Sequence, residues 1–199
     1  MPDLSYEKQK MSEGYKFVCG CDEAGRGPLC GPVVAAAVIL SPDEEIEGHN
    51  DSKKLSEKKR EALFDIIKEK AIAYAIAEAT PEEIDDINIL NASMLAMNRA
   101  VEALSVKADF ALIDGNCSRG FTIPTETVVK GDAKSSSIAA ASILAKVTRD
   151  RGCAELDKIY PQYGIAKHKG YPTKDHMDAV RKYGPSPIHR LTFLKFLDK

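Results

Sequence analysis

Eight consecutive apolar residues, Val33-Val34-Ala35-Ala36-Ala37-Val38-Ile39-Leu40, constrain this chain more than any other segment. A strand with one wet face alternates apolar and polar side chains, and this run does not alternate. It reads as a strand covered on both faces, which requires a layered α/β architecture. Residues 17–21, 71–79, 110–113 and 127–130 supply four more strand candidates. In the third strand, Ile72, Tyr74 and Ile76 recur at period two. Helical patterns cover 56–70, 80–104 in two pieces, and 135–156. The second starts at Thr80-Pro81-Glu82-Glu83, which has the form of a capping box. Further helices are expected at 173–183 and 187–197. The sum is a five-stranded mixed sheet flanked by helices, with a small C-terminal helical extension. We divide it into an N-terminal segment 1–16, a core 17–160 and an extension 161–199.

The chemistry gathers at strand ends. Asp22-Glu23-Ala24-Gly25-Arg26-Gly27-Pro28 follows the first strand, Asp114-Gly115 the fourth and Gly131-Asp132 the fifth. Adjacent carboxylates repel, and partial burial makes both harder to ionise, so something must offset the cost. Asp114 alone reads as a turn residue and Asp132 alone as a helix-start acid. Together with Asp22 and Glu23 they would carry about −4, which two divalent cations neutralise. Oxygen ligands favour Mg2+ or Mn2+ over zinc. The glycines permit close backbone approach to a ligand, and Arg26 can reach an anion.

Bulk properties narrow the partners. The 199 residues suit one domain, and the formal net charge of −2 gives no global basic field. Nucleic-acid binding would rest on local runs: Lys53, Lys54, Lys58, Lys59 and Arg60, and Lys167-His168-Lys169. Lys53 and Lys169 are the phosphate-contact candidates, with Lys130 and Lys146 also able to face the site. The five cysteines read as reduced, small apolar residues. The start of the chain lacks the pattern of a secretory signal, and no apolar stretch approaches a membrane span, so a cytoplasmic protein is expected. No interface stripe stands out, and a monomer is expected. The four histidines sit among polar neighbours in sequence, which disfavours a metal-free histidine-pair nuclease. Asp150, about 27 Å along a helix from Asp132 at 1.5 Å per residue, is expected to pair with an Arg or Lys.

The motif 22–28, with Gly31-Pro32-Val33-Val34-Ala35-Ala36, resembles the opening of type 2 ribonuclease H (ribonuclease HII). The resemblance continues through Asp51-Ser52-Lys53-Lys54-Leu55-Ser56, Ile113-Asp114-Gly115-Asn116, Lys130-Gly131-Asp132-Ala133-Lys134, the helix 137–150, Tyr163-Gly164 and His168-Lys169-Gly170-Tyr171-Pro172-Thr173. Cys30 stands where that family more often has a small residue such as Ala. The resemblance implies a ribonuclease H-like fold and metal-dependent hydrolysis of RNA in RNA–DNA hybrids, with nicking of duplex DNA 5' to embedded ribonucleotides. It implies 3'-hydroxyl and 5'-phosphate products and a two-metal mechanism. Carried over by motif, the metal-binding acids are Asp22, Glu23, Asp114 and Asp132. Gly25, Arg26 and Gly27 would read the 2'-hydroxyl, and Tyr171 would pack on the sugar. The sister type 3 enzyme usually lacks the Arg in its glycine motif, so Arg26 argues against it. A non-catalytic hybrid-binding module and a small-ester phosphatase are further alternatives.

Overall fold

A computed structural model of the chain describes residues 2–43, 46, 48 and 55–198. The elements run α1 (Ser5–Ser12), β1 (Val18–Ala24), β2 (Val33–Ile39), α2 (Glu57–Lys70), β3 (Ala73–Ala79), α3 (Pro81–Glu102), β4 (Phe110–Asp114), β5 (Thr125–Val128), α4 (Ser136–Ile159), α5 (Ile165–His168) and α6 (Lys174–Tyr183). The sheet order is β3-β2-β1-β4-β5. β1, β2 and β3 form an antiparallel meander, while β4 and β5 join in parallel beside β1. β2 is buried along its whole length, as its unbroken apolar run requires.

Alternation sorts the side chains into two cores. Cys19, Cys21, Ala35, Ala37 and Ile113 face α3, which contributes Ile84 and Met97, with Leu104 just beyond its end. Ala36 and Val38 face α4 and α2 through Ile143, Leu144, Phe64 and Ile67. α3 begins with the expected box: Thr80 Oγ1 accepts from the Glu83 N–H at 3.3 Å, and Glu83 returns a carboxylate to the Thr80 N–H at 2.9 Å. Its two pieces meet at Asn88, where φ is 67°.

The Ala- and Ser-rich start of α4 lets that helix lie directly on β1. Gly20 sets the approach, because a Cβ there would stand 2.3 Å from the backbone N of Ile138 and C of Ser137. Gly20→Ala is therefore expected to push α4 off the sheet and cost about 3 kcal/mol or more. A urea denaturation midpoint that does not fall would refute this.

Two local expectations differ from the structure, and one helix was not anticipated. The fifth strand lies at Thr125–Val128, earlier than 127–130, because Lys130 takes a left-handed conformation (φ 56°) that ends extended structure. Residues 187–197 form two 3-10 turns, Leu191–Phe193 and Lys195–Asp198, in place of a helix. Asp85 captures the N–H groups of Leu191 and Thr192 at 2.7 and 3.0 Å, tying this segment to α3. α1 was not read from sequence. It brings Glu7, 2% exposed, onto the start of α4, where its carboxylate accepts from Ser135 Oγ, Ser137 Oγ and the Ser137 N–H.

Candidate active site

Asp22 and Glu23 lie inside β1 rather than beyond it, two residues and one residue from its end. Asp22 pairs in register with Ala36 and turns toward α4, where the Ser142 hydroxyl donates to it; the Glu23 N–H donates to Asp22 Oδ1 at 2.7 Å. Glu23 takes Arg26 Nη1 at 3.2 Å. In the parallel neighbour, Asp114 closes β4, and its Oδ1 accepts the Gly131 N–H at 2.6 Å. That bond draws the turn carrying buried Asp132 against the end of β4.

Asp22, Glu23 and Asp114 line one cleft of about 330 Å3, together with Gly25, Arg26, Gly27, Ser142, Lys146, Arg149 and Tyr171. Asp132 stands beside this lining rather than in it, held through Gly131. Burial pushes the Asp22 carboxyl well above its ordinary proton affinity, with Glu23 and Asp114 adding like charge. Burial also raises Glu23, and Arg26 opposes that rise. The donors are carboxylates and a hydroxyl, with unfavourable negative charge. That set fits hard divalent cations such as Mg2+ or Mn2+.

The substrate-side candidates divide. Arg26 is about half exposed and leans on Glu23. Gly25 has φ +98°, and a Cβ there would collide with Arg149 Nε at 2.1 Å. A Cβ on Gly27 would touch the Tyr171 ring at 3.4 Å, so the ring lies over the glycine loop with 44% of its surface exposed. Lys169 offers its carbonyl inward, accepting Arg149 Nη1 and Nη2 at 3.1 Å each. Lys146 lines the cleft and is anchored by Asp150 at 2.7 Å, so Asp150 has the expected basic partner. Lys53, Lys54 and the rest of 51–54 lie outside the described residues, as does His49.

Sequence reasoning missed the supports. Arg190 is wholly buried and donates to four carbonyls of the glycine loop: Gly25, Arg26, Pro28 and Gly31, at 2.7 to 3.1 Å. Burial lowers its pKa to about 10, and it stays charged at neutral pH. His176 and His189, set among polar neighbours in sequence, are buried, and desolvation lowers both, His189 to about 4. Both imidazoles are therefore neutral at physiological pH. No local pattern announces these roles, since the loop carbonyls that Arg190 holds lie 159 to 165 residues away.

A family model for ribonuclease HII matches residues 19–196. The chain is 64% identical over 177 residues to ribonuclease HII of Dechloromonas aromatica, covering 89% of this chain and 90% of that one. It is 58% identical over 181 residues to ribonuclease HII of Vibrio vulnificus, covering 91% and 87%. The crystal structure of ribonuclease H2 from Pyrococcus horikoshii superposes with a TM-score of 0.75 at 30% identity, covering 92% of this chain and 97% of that one.

Proposed function

The chain belongs to the ribonuclease HII family, a family of divalent metal-dependent endonucleases, and from that premise we propose that it hydrolyses the RNA strand of RNA–DNA hybrids and nicks duplex DNA 5' to an embedded ribonucleotide. The products would be a 3'-hydroxyl and a 5'-phosphate. The observation that carries this reading is the single cleft lined by Asp22, Glu23 and Asp114, with the glycine loop and Tyr171 on its rim. Asp22, Glu23, Asp114 and Asp132 would hold two divalent ions, Mg2+ or Mn2+. Bound ions supply Lewis-acid polarisation of the phosphodiester and neutralise charge on the attacking and leaving oxygens.

The chain's own groups do the recognition. Arg190 draws the carbonyls of Gly25 and Arg26 inward. Because a trans peptide points its N–H opposite its C=O, the Arg26 and Gly27 N–H groups face away from Arg190. Flanked by Gly25 and Gly27, those donors suit a ribose 2'-hydroxyl, the group by which RNA is told from DNA. Tyr171 would stack its ring on the sugar beyond it. Lys146, fixed by Asp150, and Lys169 would meet phosphates, as would Lys53. We assign the enzyme a cytoplasmic, monomeric role in removing ribonucleotides from DNA and clearing RNA from hybrids.

The test is cleavage of a labelled DNA duplex holding one ribonucleotide, with Mg2+, with Mn2+ and with chelator. A metal-dependent nick 5' to the ribonucleotide is expected. Duplex binding without a nick under any metal would favour a binding module. Activity confined to small phosphate esters would favour a phosphatase. Tyr171→Ala is expected to lower single-ribonucleotide nicking about tenfold or more, the scale of one lost stacking contact, with a smaller loss on continuous hybrid. Equal losses on both substrates would remove Tyr171 from junction recognition.

A further inference from the structure

Behind the glycine loop, Cys30, His176 and His189 meet away from the carboxylate cleft. They are 1%, 0% and 3% exposed. The Cys30 sulfur and one nitrogen of each imidazole all lie within 4.8 Å of one another. The three residues come from separate segments: the glycine loop, α6 and the stretch before the last 3-10 turns. Hydrogen bonds join those segments, Leu29 N–H to Gly170 O, Gly31 N–H to Ile188 O and Arg190 N–H to Leu29 O, at 2.8 to 2.9 Å.

The hydrogen bonds also fix the imidazole tautomers. His176 Nδ1 lies 3.1 Å from the carbonyls of both Gly170 and Tyr171, which can only accept. Nδ1 therefore carries the proton, and Nε2 presents a lone pair inward. A ligating histidine is held the same way, its other nitrogen donating to a carbonyl. His189 Nδ1 accepts the Ser186 N–H at 3.1 Å, so its Nε2 carries a proton and donates to His176 Nε2 at 3.3 Å. Two nitrogens bound about 2.0–2.1 Å from one metal in a trigonal arrangement would sit about 3.5–3.6 Å apart. The observed 3.3 Å pair needs to open by only a few tenths of an ångström to reach that separation.

Charge selects the ion. The Arg149 guanidinium reaches the Cys30 carbonyl at 3.4 Å, and that of Arg190 reaches the Gly31 carbonyl at 2.9 Å. Adding a divalent cation beside two buried guanidiniums raises the buried charge even after the thiol deprotonates. Exchanging the thiol proton for a monovalent cation leaves it unchanged. A thiolate with two imidazoles is a soft donor set, which suits d10 monovalent metals. We propose that Cys30 Sγ, His176 Nε2 and His189 Nε2 form a three-coordinate site for a soft monovalent cation, Cu(I), with Ag(I) as its redox-inert equivalent. On binding, the S–H bond breaks, a metal–sulfur bond forms, and one proton leaves to solvent. The His189 proton passes from Nε2 to Nδ1 and is donated to Ser186 Oγ, 3.0 Å away, at the expense of the bond from the Ser186 N–H. No oxidation state changes.

The test follows the imidazoles, because silver also binds other thiols. Protein labelled with 15N-histidine is titrated with Ag(I) in nitrate buffer. One equivalent is expected to move the side-chain nitrogen signals of both His176 and His189 in the wild type and neither in Cys30→Ala, which adds no atoms to the interior. Cys30→Ser, which keeps the volume but not the soft ligand, serves if the alanine variant does not fold. Signals that stay in place in the wild type, or move equally without the thiol, overturn the proposal. Zn(II) moving them as readily as silver overturns the choice of a monovalent ion.

Discussion

Asp22→Asn is expected to abolish cleavage while making the ion-free protein more stable. The amide keeps the shape of the carboxylate. Its oxygen still accepts the Glu23 N–H, and its NH2 faces a Ser142 hydroxyl that can rotate to accept. What disappears is a buried negative charge beside Glu23 and Asp114. For activity, losing one anionic oxygen ligand should remove several kcal/mol of transition-state stabilisation; about 4 kcal/mol corresponds to roughly 10^3-fold in turnover. For stability the sign is reversed. The folded pKa of Asp22 lies above its unfolded value. Its favourable contribution is therefore complete at acid pH and is lost as pH rises through the folded value. The melting temperature of ion-free wild type should fall relative to Asp22→Asn as the pH is raised from the ordinary carboxylate range to alkaline values. Mn2+ should restore the wild type more than the variant. Thermal melts across that range, with and without Mn2+, read this directly. Equal ion-free melting temperatures at its alkaline end would show that the carboxylates do not strain the cleft.

Arg190→Met should destabilise the protein by about 3–5 kcal/mol, the range for breaking a buried, fully engaged charge. Its packing volume is nearly kept, so the loss falls on the carbonyls of Gly25, Pro28 and Gly31, buried beyond the reach of water, more than on that of the exposed Arg26. Arg190→Lys should rescue little. A single ammonium on a flexible stem cannot span four carbonyls that a planar fork reaches together. Urea denaturation of the three proteins gives the comparison. At a temperature where Arg190→Lys remains folded, single-ribonucleotide nicking should fall more than hybrid cleavage, because the loop that reads the ribose is what loosens. A lysine variant matching the wild type in both measurements would reduce Arg190 to a charge without shape.

What the sequence disclosed was local or periodic. The apolar run of β2 and the Thr80–Glu83 box stand where the pattern placed them, and α3 is in two pieces as expected, although the pattern gave no position for the break at Asn88. The carboxylates were legible because strand ends in a layered sheet converge, which brought Asp22, Glu23 and Asp114 into one cleft. Arg190, the buried histidines and Glu7 were not legible. Glu7 acts on Ser135 and Ser137, 128 and 130 residues onward, and its place in a lysine-rich helix reads as solvated. Burial of such groups is decided by which distant segment covers them, and no window of a few turns contains that information.

The strand order also has a consequence for how the chain reaches its native state. β1, β2 and β3 are sequence neighbours that pair as a meander, whereas β4 reaches β1 only after a crossover containing α3. Closing that long loop costs entropy before any contact repays it. Asp22 and Glu23 are therefore expected to be placed with the meander, and Asp114 and Asp132 with the later docking of β4 and β5. Mutual repulsion of the acids should then slow the final approach of the two halves of the sheet, and the ions that catalysis demands should hasten assembly; a refolding rate that does not rise with Mn2+ would refute this.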